Sequence, residues 1–230
     1  MPQAPRLEFF FDCSSPWTYF AFRGVQALAA ESGAALVWTP ILVGGVFNAV
    51  NPTVYASRAQ PVAAKDAYMR KDLADWAARV GLAIVFPPTV FPVNSAKAMR
   101  ACIWADGQGA LPTLAERLFD LYWRADEDIG QDAVIARACA EAGLDPGAGL
   151  AAASDPTMKA ALRANTDDLI ARGGFGSPTI FLDQTDMYFG NDRLPLVREA
   201  LARRREFKPA SAAVPTRPAV ARAAKPPPRR

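Results

Sequence analysis

The stretch from Phe9 to Tyr19 constrains the fold most strongly, because it predicts a buried strand that stops, turns and begins a helix. Three consecutive phenylalanines, Phe9 to Phe11, favour a strand that is covered on both faces. A turn of small polar residues follows, and Pro16 suits the first position of a helix that Ser15 would cap. The free N–H groups and partial positive charge of a helix start favour an anion. A capped helix after a core strand is the simpler interpretation of these residues, and an anion site beside the Ser15 hydroxyl is the alternative.

Histidine is absent from the 230 residues, and this absence excludes whole classes of catalytic site. Ser-His-Asp and Cys-His catalysis, His-ligated zinc and acid–base catalysis by histidine all require it. The cysteines do not form Cys-x-x-Cys pairs, and their odd number argues against a disulfide framework or a zinc site: Cys13, Cys102 and Cys139. A catalyst in this chain must therefore use hydroxyls, carboxylates, cationic side chains, backbone dipoles or a group supplied by a ligand.

The positive charge of the chain is concentrated at its C-terminal end. The formal net charge is +3, but residues 203–230 carry nine Lys or Arg and one Glu, so the remainder is mildly acidic. We therefore predict no nucleic-acid partner for the folded part. The chain has no run of about 18 apolar residues and no apolar segment behind a basic start, so we expect a cytoplasmic protein without a membrane partner.

Hydrophobic periodicity predicts two groups of strands with helices between them. The chain begins as strand 7–11, helix 16–32 and strand 35–39, and it ends as strands 179–182 and 186–189 and helix 192–204. Between these groups we predict a loop over 41–51 and an irregular, proline-rich segment over 86–94. The intervening helices are predicted at 57–80, 95–105, 112–123, 132–142, 145–153 and 155–172.

The sequence Ser15-Pro16-Trp17-Thr18 carries a resemblance to a known family. It occupies the place of the Cys-Pro-Trp-Cys redox motif of DsbA-like oxidoreductases, with hydroxyls at both cysteine positions. The surrounding Phe-Asp-x-x-Ser-Pro-Trp-Thr-Tyr pattern resembles that of the 2-hydroxychromene-2-carboxylate isomerases and their kappa-class glutathione transferase relatives. In that family the serine before the proline holds and activates the thiol of bound glutathione. The resemblance, which covers residues 7–202, implies this catalytic role for Ser15.

The predicted element order and the resemblance together imply an α/β fold. We expect a DsbA-like arrangement, in which a large all-helical insertion interrupts a thioredoxin-like β-α-β / β-β-α core. The predicted thioredoxin-like domain comprises residues 1–40 and 156–206, and the helical insertion domain comprises residues 41–155. Residues 207–230, with six prolines among Ala and basic residues, cannot bury a core and are predicted to be disordered.

Two further motifs support the resemblance. Gly176-Ser177-Pro178-Thr179 places a proline directly before a strand, which predicts a cis peptide bond from which Ser177 could pair with the cysteine backbone of a tripeptide. The sequence that begins Phe189-Gly190-Asn191-Asp192 resembles the turn into the last helix of the family. The resemblance implies glutathione contacts at Ser15, Ser177, Pro178, Phe189, Gly190, Asn191 and Asp192. A trans proline at a strand start and a plain helix cap at Asp192 are the structural alternatives.

The resemblance also implies a pocket for a second substrate, a small aromatic carboxylate. The positions that match the pocket of the family are Phe47, Asn51 and Asn94. Relatives carry a basic residue near the position of Phe47 that could meet a substrate carboxylate. Three other cations could supply that charge here, although each is also explained as a solvated helix residue: Arg58, Lys65 and Lys97.

Two residues of the turn before Ser15 have to be interpreted separately. Cys13 matches an apolar position of the family, so we predict a small packing residue rather than a reactive thiol. Asp12 follows the buried strand directly and either orients the loop through hydrogen bonds or only caps the turn.

The function that the resemblance implies is a glutathione-dependent isomerase. It would convert 2-hydroxychromene-2-carboxylate to trans-o-hydroxybenzylidenepyruvate by reversible thiolate addition, in the breakdown of aromatics such as naphthalene, and it allows a homodimer. A kappa-like glutathione transferase or peroxidase is the main alternative. A thiol–disulfide oxidoreductase is disfavoured by Ser15 and Thr18, and an adaptor that binds an acidic partner through the basic tail is a third alternative.

Overall fold

Four strands form one mixed sheet in the order β2-β1-β3-β4 in the computed structural model, which describes residues 4–206. The central strand β1 pairs in parallel with β2 and antiparallel with β3, and β3 pairs antiparallel with β4. The strands are β1 Arg6–Phe11, β2 Ala35–Pro40, β3 Thr179–Leu182 and β4 Asp186–Phe189. The predicted β-α-β and β-β-α units are therefore confirmed, and they join where β1, the strand that leads to Ser15, pairs with β3.

Ten α-helices occur within the described residues, and eight of them lie between β2 and β3. The helices are α1 Pro16–Ser32, α2 Val43–Val50, α3 Thr53–Ala59, α4 Ala63–Val80, α5 Ala96–Asp106, α6 Leu111–Phe119, α7 Asp132–Glu141, α8 Pro146–Ser154, α9 Pro156–Ala171 and α10 Leu194–Glu206. A π-helical turn, Asp120–Arg124, extends α6, and a 3₁₀ turn, Asn191–Arg193, precedes α10. The large helical insertion is confirmed, while the exact domain boundaries stay a prediction.

The segment 41–51, predicted as a loop, instead contains α2. Its two glycines disfavour a helix locally, but tertiary contacts satisfy the N–H groups at its start. The N–H of Leu42 donates to Thr166 Oγ1 at 3.0 Å, and the N–H of Val43 donates to Asp12 Oδ2 at 2.8 Å. Gly45 lets α9 approach, because a Cβ there would lie 3.4 Å from the Thr166 methyl carbon.

The single helix predicted over 57–80 is also wrong, because the chain breaks between α3 and α4. Gln60 has φ −132° and ψ 75°, as expected before Pro61, which disfavours helical geometry in the preceding residue. The proline-rich segment 86–94 is irregular, as predicted, with cis peptide bonds before Pro87 and Pro92.

The phenylalanines of β1 alternate between two apolar clusters on opposite faces of the sheet. Phe9 and Phe11 are fully buried in the main core, where both rings contact the rings of Phe22 and Trp38. Phe10 faces the second cluster, with the Phe181 ring centroid 5.6 Å away. The prediction that this strand is covered on both faces is confirmed, and each buried ring contributes roughly 1.5–3 kcal/mol of hydrophobic free energy.

Two further sequence predictions concern the C-terminal segment and membrane-spanning helices. The disorder predicted for residues 207–230 falls outside the described residues. Among residues 4–206, no helix is both long and apolar enough to cross a membrane.

Candidate functional site

Ser15 caps α1 as the sequence predicts. Its backbone is extended, with φ −103° and ψ 121°, and its Oγ accepts the N–H of Thr18 at 3.3 Å. Pro16 occupies the first helical position, and the Ser15 side chain is almost completely buried. The hydroxyl is thus fixed at the positive end of a 17-residue helix.

A second turn, around Ser177, lies directly against this helix start. The Ser15 hydroxyl donates to the carbonyl oxygen of Ser177 at 3.0 Å, and the Thr18 hydroxyl lies 2.7 Å from Ser177 Oγ. Ser177 Oγ also accepts the backbone N–H of Asp12 at 3.1 Å. The bond between Ser177 and Pro178 is cis, so that prediction is confirmed and the trans alternative is wrong. The structure therefore gathers three buried hydroxyls, two at the start of α1 and a third from Ser177, which lies 159 positions after Thr18.

Asp12 joins this loop to the helical insertion. Its fully buried carboxylate accepts the N–H of Ser14 at 2.9 Å, the N–H of Val43 at 2.8 Å and the Ser95 hydroxyl at 3.0 Å. Burial raises the pKa of Asp12, although these hydrogen bonds act in the opposite direction. Asp12 therefore orients the loop rather than only capping a turn. Sequence reasoning missed Ser95, because nothing local to it indicates a partner 83 positions away.

Cys13 is a packing residue, as predicted. Its side chain is fully buried, its N–H donates to Met99 Sδ at 3.4 Å, and its carbonyl accepts the indole N–H of Trp123 at 2.8 Å. Burial, and then the neighbouring Cys102, raise the pKa of the Cys13 thiol well above its usual value. A thiolate is the reactive form of cysteine, so this residue is poorly suited to be a nucleophile.

The turn between β4 and α10 reaches the same place through its backbone. The N–H of Gly190 donates to the carbonyl of Pro178 at 3.1 Å. Gly190 has φ +107°, and a Cβ there would lie 2.6 Å from an Asp192 carboxylate oxygen, so only glycine fits. The rings of Phe189 and Phe175 lie 4.4 Å apart and are each 38% exposed.

Within residues 4–206, the side chains of Asn191 and Asp192 form no hydrogen bond with Ser15 or Ser177. Asn191 is buried, its Nδ2 has no hydrogen-bond partner within the described part of the chain, and it lines a cavity of about 380 Å³ along α1. Asp192 lies inside a 3₁₀ turn without a side-chain cap, and its carboxylate contacts Arg193 at 2.8 Å. The interpretation of Asp192 as a plain helix cap is therefore wrong.

The three residues predicted for the second substrate separate in the structure. Phe47 is half-buried on α2. Asn51 follows α2, and its Nδ2 donates to the carbonyl of Phe175 at 3.2 Å, so the end of α2 lies beside the exposed Phe175–Phe189 pair. Asn94 is exposed, and its Oδ1 accepts the N–H of Ala96 at the start of α5. Phe47 thus lies on α2 and Asn51 caps the end of α2, whereas the Asn94 side chain accepts a hydrogen bond at the start of α5.

The three candidate cations also differ in their surroundings. Lys97 forms an ion pair with Asp132 at 2.6 Å, and Lys65 is exposed on α4. The guanidinium carbon of Arg58 lies 5.8 Å from the ring centroid of Phe47 and 5.2 Å from that of Phe91. Arg58 is exposed but is held by two aromatic rings, so the interpretation of a purely solvated residue does not describe it.

Comparisons with known proteins agree with this geometry. Residues 6–202 match the family described as the DSBA-like thioredoxin domain. The chain is 28% identical over 196 residues to a 2-hydroxychromene-2-carboxylate isomerase of Sphingobium xenophagum, covering 85% of this chain and 97% of that protein. It is 27% identical over 214 residues to glutathione S-transferase kappa 2 of Caenorhabditis elegans, covering 88% and 94%.

A solved structure resembles the whole fold. The structure of a 2-hydroxychromene-2-carboxylate isomerase matches with a TM-score of 0.73 and 24% identity, covering 87% of this chain and 96% of that chain. At this identity the likeness bears on the fold, and it agrees with the β-α-β and β-β-α units and the helical insertion described above.

Proposed function

Because this chain belongs to the DSBA-like thioredoxin domain family, we propose that it is a glutathione-dependent isomerase of 2-hydroxychromene-2-carboxylate. The observation that carries the proposal is the cluster of three buried hydroxyls, in which Ser15 and Thr18 match the two cysteine positions of the redox motif and Ser177 lies against both. The similarity to isomerases and to a kappa transferase over most of the chain supports the same conclusion.

The cysteines of this chain are unsuited to supply the nucleophile. All three are buried and unpaired: Cys13, Cys102 and Cys139. Burial raises the pKa of Cys139 to about 11, and burial also raises the pKa of Cys13 well above its usual value. Thiol chemistry at Ser15 therefore needs a sulfur from a ligand, and glutathione is the thiol that the relatives suggest.

The residues around Ser15 fit a bound tripeptide. The carbonyl of Ser177 lies at the mouth of the cis turn, where it could accept the cysteine N–H of glutathione in the manner of an added strand. The backbone of Gly190 is hydrogen-bonded to Pro178, and a Cβ at Gly190 would collide with the Asp192 carboxylate. The unpartnered Nδ2 of Asn191 and the exposed carboxylate of Asp192 offer a donor and an anion for the charged γ-glutamyl end.

When bound, glutathione would supply a thiolate that adds reversibly to an activated double bond, which lets that bond rotate, and then departs unconsumed. The chain's own task is to hold and ionise that sulfur. The Ser15 hydroxyl has one proton, which it donates to the Ser177 carbonyl. Redirecting this proton to the sulfur would release the Ser177 carbonyl for the peptide N–H, so thiolate stabilisation and peptide binding favour each other.

The expected gain is a lower thiol pKa. A free thiol with a pKa of about 8.5 is only a few per cent ionised at neutral pH. A hydrogen bond from Ser15 and the positive end of α1 would favour the thiolate, and a shift to about 6.5 corresponds to roughly 2.7 kcal/mol.

A kappa-like glutathione transferase or peroxidase is the second candidate, favoured by the 27% identity to a kappa transferase. The two functions differ in the fate of glutathione. An isomerase leaves its concentration unchanged over many turnovers, whereas a transferase consumes one glutathione for each product. A product assay with simultaneous thiol titration separates them.

The proposal is tested by assaying chromene carboxylate isomerisation with and without glutathione, in the wild type and in Ser15→Ala. We expect no turnover without glutathione and a loss of at least about 20-fold in Ser15→Ala at pH 7, the ratio of thiolate fractions for pKa values of 6.5 and 8.5. Since thiolate forms as pH rises, this deficit should shrink to about 2-fold at pH 8.5.

The matched control is Asp145→Ala. Asp145 also caps a helix that begins with proline, and its Oδ1 accepts the N–H of Ala148. This variant loses a similar cap, worth about 1 kcal/mol, and should keep full activity. Turnover that does not depend on glutathione, or a Ser15→Ala enzyme as active as the control, would contradict the proposal.

A further inference from the structure

Arg58, in the last turn of α3, is held by aromatic faces rather than by a carboxylate. Its guanidinium carbon lies 5.8 Å from the Phe47 centroid and 5.2 Å from the Phe91 centroid. Across residues 4–206, no acidic oxygen lies within ion-pair distance of it. An aromatic face attracts the charge but uses few of the five guanidinium N–H donors, so these donors are available to a ligand.

A second arginine, Arg70, contacts both an aromatic ring and a carboxylate. Arg70 also lies over a ring, with its guanidinium carbon 5.8 Å from the Phe86 centroid, but its Nε donates to Asp66 Oδ2 at 2.9 Å. The two arginines therefore share an aromatic contact and differ in whether a carboxylate already satisfies the cation.

Both rings that hold Arg58 are connected to the loop that ends at Ser15. On one side, Asp12 binds the first N–H of α2, and Phe47 lies one helical turn later. On the other side, the Trp123 indole donates to the carbonyl of Cys13, directly before this loop's serines. Two hydrogen bonds thus connect the elements near Arg58 to the loop of the candidate active site.

The second connection runs through three aromatic rings. Phe86 stacks on Trp123 with centroids 6.4 Å apart, and the Phe91 centroid lies 5.6 Å from that of Phe86. Burial raises the pKa of Tyr122, and among the weaker influences the Asp12 carboxylate raises it while Arg58 lowers it. Arg58 and the buried Asp12 carboxylate therefore both influence the pKa of the Tyr122 hydroxyl.

The surroundings of Arg58 also present apolar ring surface. Tyr55, 38% exposed, lies edge-on to Phe47 with centroids 6.3 Å apart. Asn51 connects the end of the same helix to Phe175, whose exposed ring packs on Phe189. Flat apolar surfaces beside an unpaired guanidinium are complementary to an aromatic ring that carries a carboxylate.

We propose that Arg58, held by Phe47 and Phe91, is the carboxylate-binding residue of the second-substrate subsite and selects flat aromatic acids. Phe47 then supports the cation as well as lining the subsite. The inference rests on the proposed function in one respect, which is that the selected acid is the molecule transformed at Ser15.

The test uses the full chain and two probes that differ in charge, trans-cinnamate and trans-cinnamamide. Their binding is measured by calorimetry in the presence of glutathione, for the wild type, Arg58→Ala, Arg58→Lys and the control Arg70→Ala. We expect the wild type and the control to prefer cinnamate by about 10- to 100-fold, as for a charge-assisted hydrogen bond. Arg58→Ala should lose this preference, and Arg58→Lys should retain part of it because lysine keeps the charge but lacks the planar fork.

Three results would overturn the inference: undetectable cinnamate binding to the wild type, no preference over the amide, or an unchanged preference in Arg58→Ala. Glutathione affinity, titrated separately, should be the same in all four proteins. If the chromene carboxylate is not turned over but the cinnamate preference depends on Arg58, the proposed function fails and the subsite stands. If turnover depends on Ser15 while the KM of Arg58→Ala is unchanged, the subsite fails alone.

Discussion

The two sides of the candidate site are built in different ways. The side that we assign to glutathione consists of backbone groups and buried hydroxyls, namely the Ser15 cap, the cis turn at Ser177 and the Gly190 turn. The side that we assign to the second substrate consists of side chains from the helical insertion, with the exposed Arg58 lying on the rings of Phe47 and Phe91. The first side is fixed by covalent geometry and buried hydrogen bonds, whereas the second depends on packing between surface side chains.

This difference explains how one fold can keep a cofactor and change a substrate. A tripeptide gripped through backbone groups tolerates substitution of most surface residues. An acid recognised by a cation on an aromatic support is sensitive to each of those side chains. We therefore expect variants on the two sides to separate glutathione affinity from acid affinity, and Asp12, which contacts both sides, to affect both.

The largest effect is expected for Asp12→Ala. It removes the acceptor shared by the N–H of Val43 and the Ser95 hydroxyl, and it leaves both buried donors unsatisfied. We expect unfolding free energy to fall by about 3–5 kcal/mol, from urea denaturation, with weaker binding of both ligands. The control is Asp126→Ala, since the Asp126 carboxylate also accepts two hydrogen bonds, both from Thr89, but is exposed to solvent, so its removal should cost much less than that of Asp12. Equal losses in the two variants would remove Asp12 as the link.

Glu8, on the strand that ends one residue before Asp12, provides a contrast in pH dependence. Burial alone would raise the pKa of Glu8, but hydrogen bonds from Arg172 at 2.6 Å and Arg6 at 3.0 Å, with their charges, outweigh it and lower that pKa. The stability from this carboxylate is present above its unfolded pKa of about 4.3 and is lost as pH falls through the lower folded value.

Glu8→Gln should therefore cost about 1.5–3 kcal/mol at pH 7, and the difference from wild type should shrink below about pH 4.3. Asp12 has the opposite pH dependence, because its pKa is raised in the folded state. Its contribution to the free energy of unfolding is full below about pH 3.9 and declines as pH rises through its folded pKa. Thermal denaturation of wild type, Glu8→Gln and Asp12→Asn from pH 3 to 7 measures both slopes. If the loss of stability in Glu8→Gln stayed constant from pH 3 to 7, the Glu8 carboxylate would not titrate in this range and the account would be contradicted.

Gly190→Ala tests the backbone nature of the glutathione side. With φ +107° and a Cβ position 2.6 Å from an Asp192 oxygen, alanine should cost about 1–3 kcal/mol and weaken glutathione without changing the cinnamate preference. Gly143→Ala is the control, since Gly143 has φ +74° and no atom within 4 Å of a Cβ. If Gly190→Ala binds glutathione as well as Gly143→Ala does, the turn is not part of the glutathione site.

The smallest effect is expected for Phe47→Leu, on the other side. Leucine keeps apolar contact but removes one of the two aromatic faces that hold Arg58. Cation–π contacts at exposed sites contribute about 0.5–1 kcal/mol, so cinnamate affinity should fall roughly 2- to 5-fold with glutathione affinity unchanged. A decrease that is equal for cinnamate and cinnamamide would mean that Phe47 contacts the probe ring and does not support the cation.

Sequence reasoning succeeded where the signal was local. Pro16 after Ser15 indicates the helix start locally, whereas the cis bond before Pro178 was expected because of the family resemblance, and the structure has both. It failed for α2, whose start is satisfied by Asp12 and by Thr166, a residue 124 positions away from its partner.

The second-substrate side was difficult to predict for the same reason. The supports of Arg58 come from a helix before it and from a proline-rich segment after it, so no spacing in the sequence indicates their meeting. Asn94 matched the family pocket by position, but in this fold its side chain oxygen serves the start of α5.

The most direct test of the central claim, that Ser15 holds and ionises a thiol borrowed from glutathione, is a pH titration of thiolate absorbance at 240 nm for the glutathione complex. The account predicts that the bound thiol ionises near pH 6.5 in the wild type and near pH 8.5 in Ser15→Ala. A bound thiol that ionises near pH 8.5 in both proteins would contradict it.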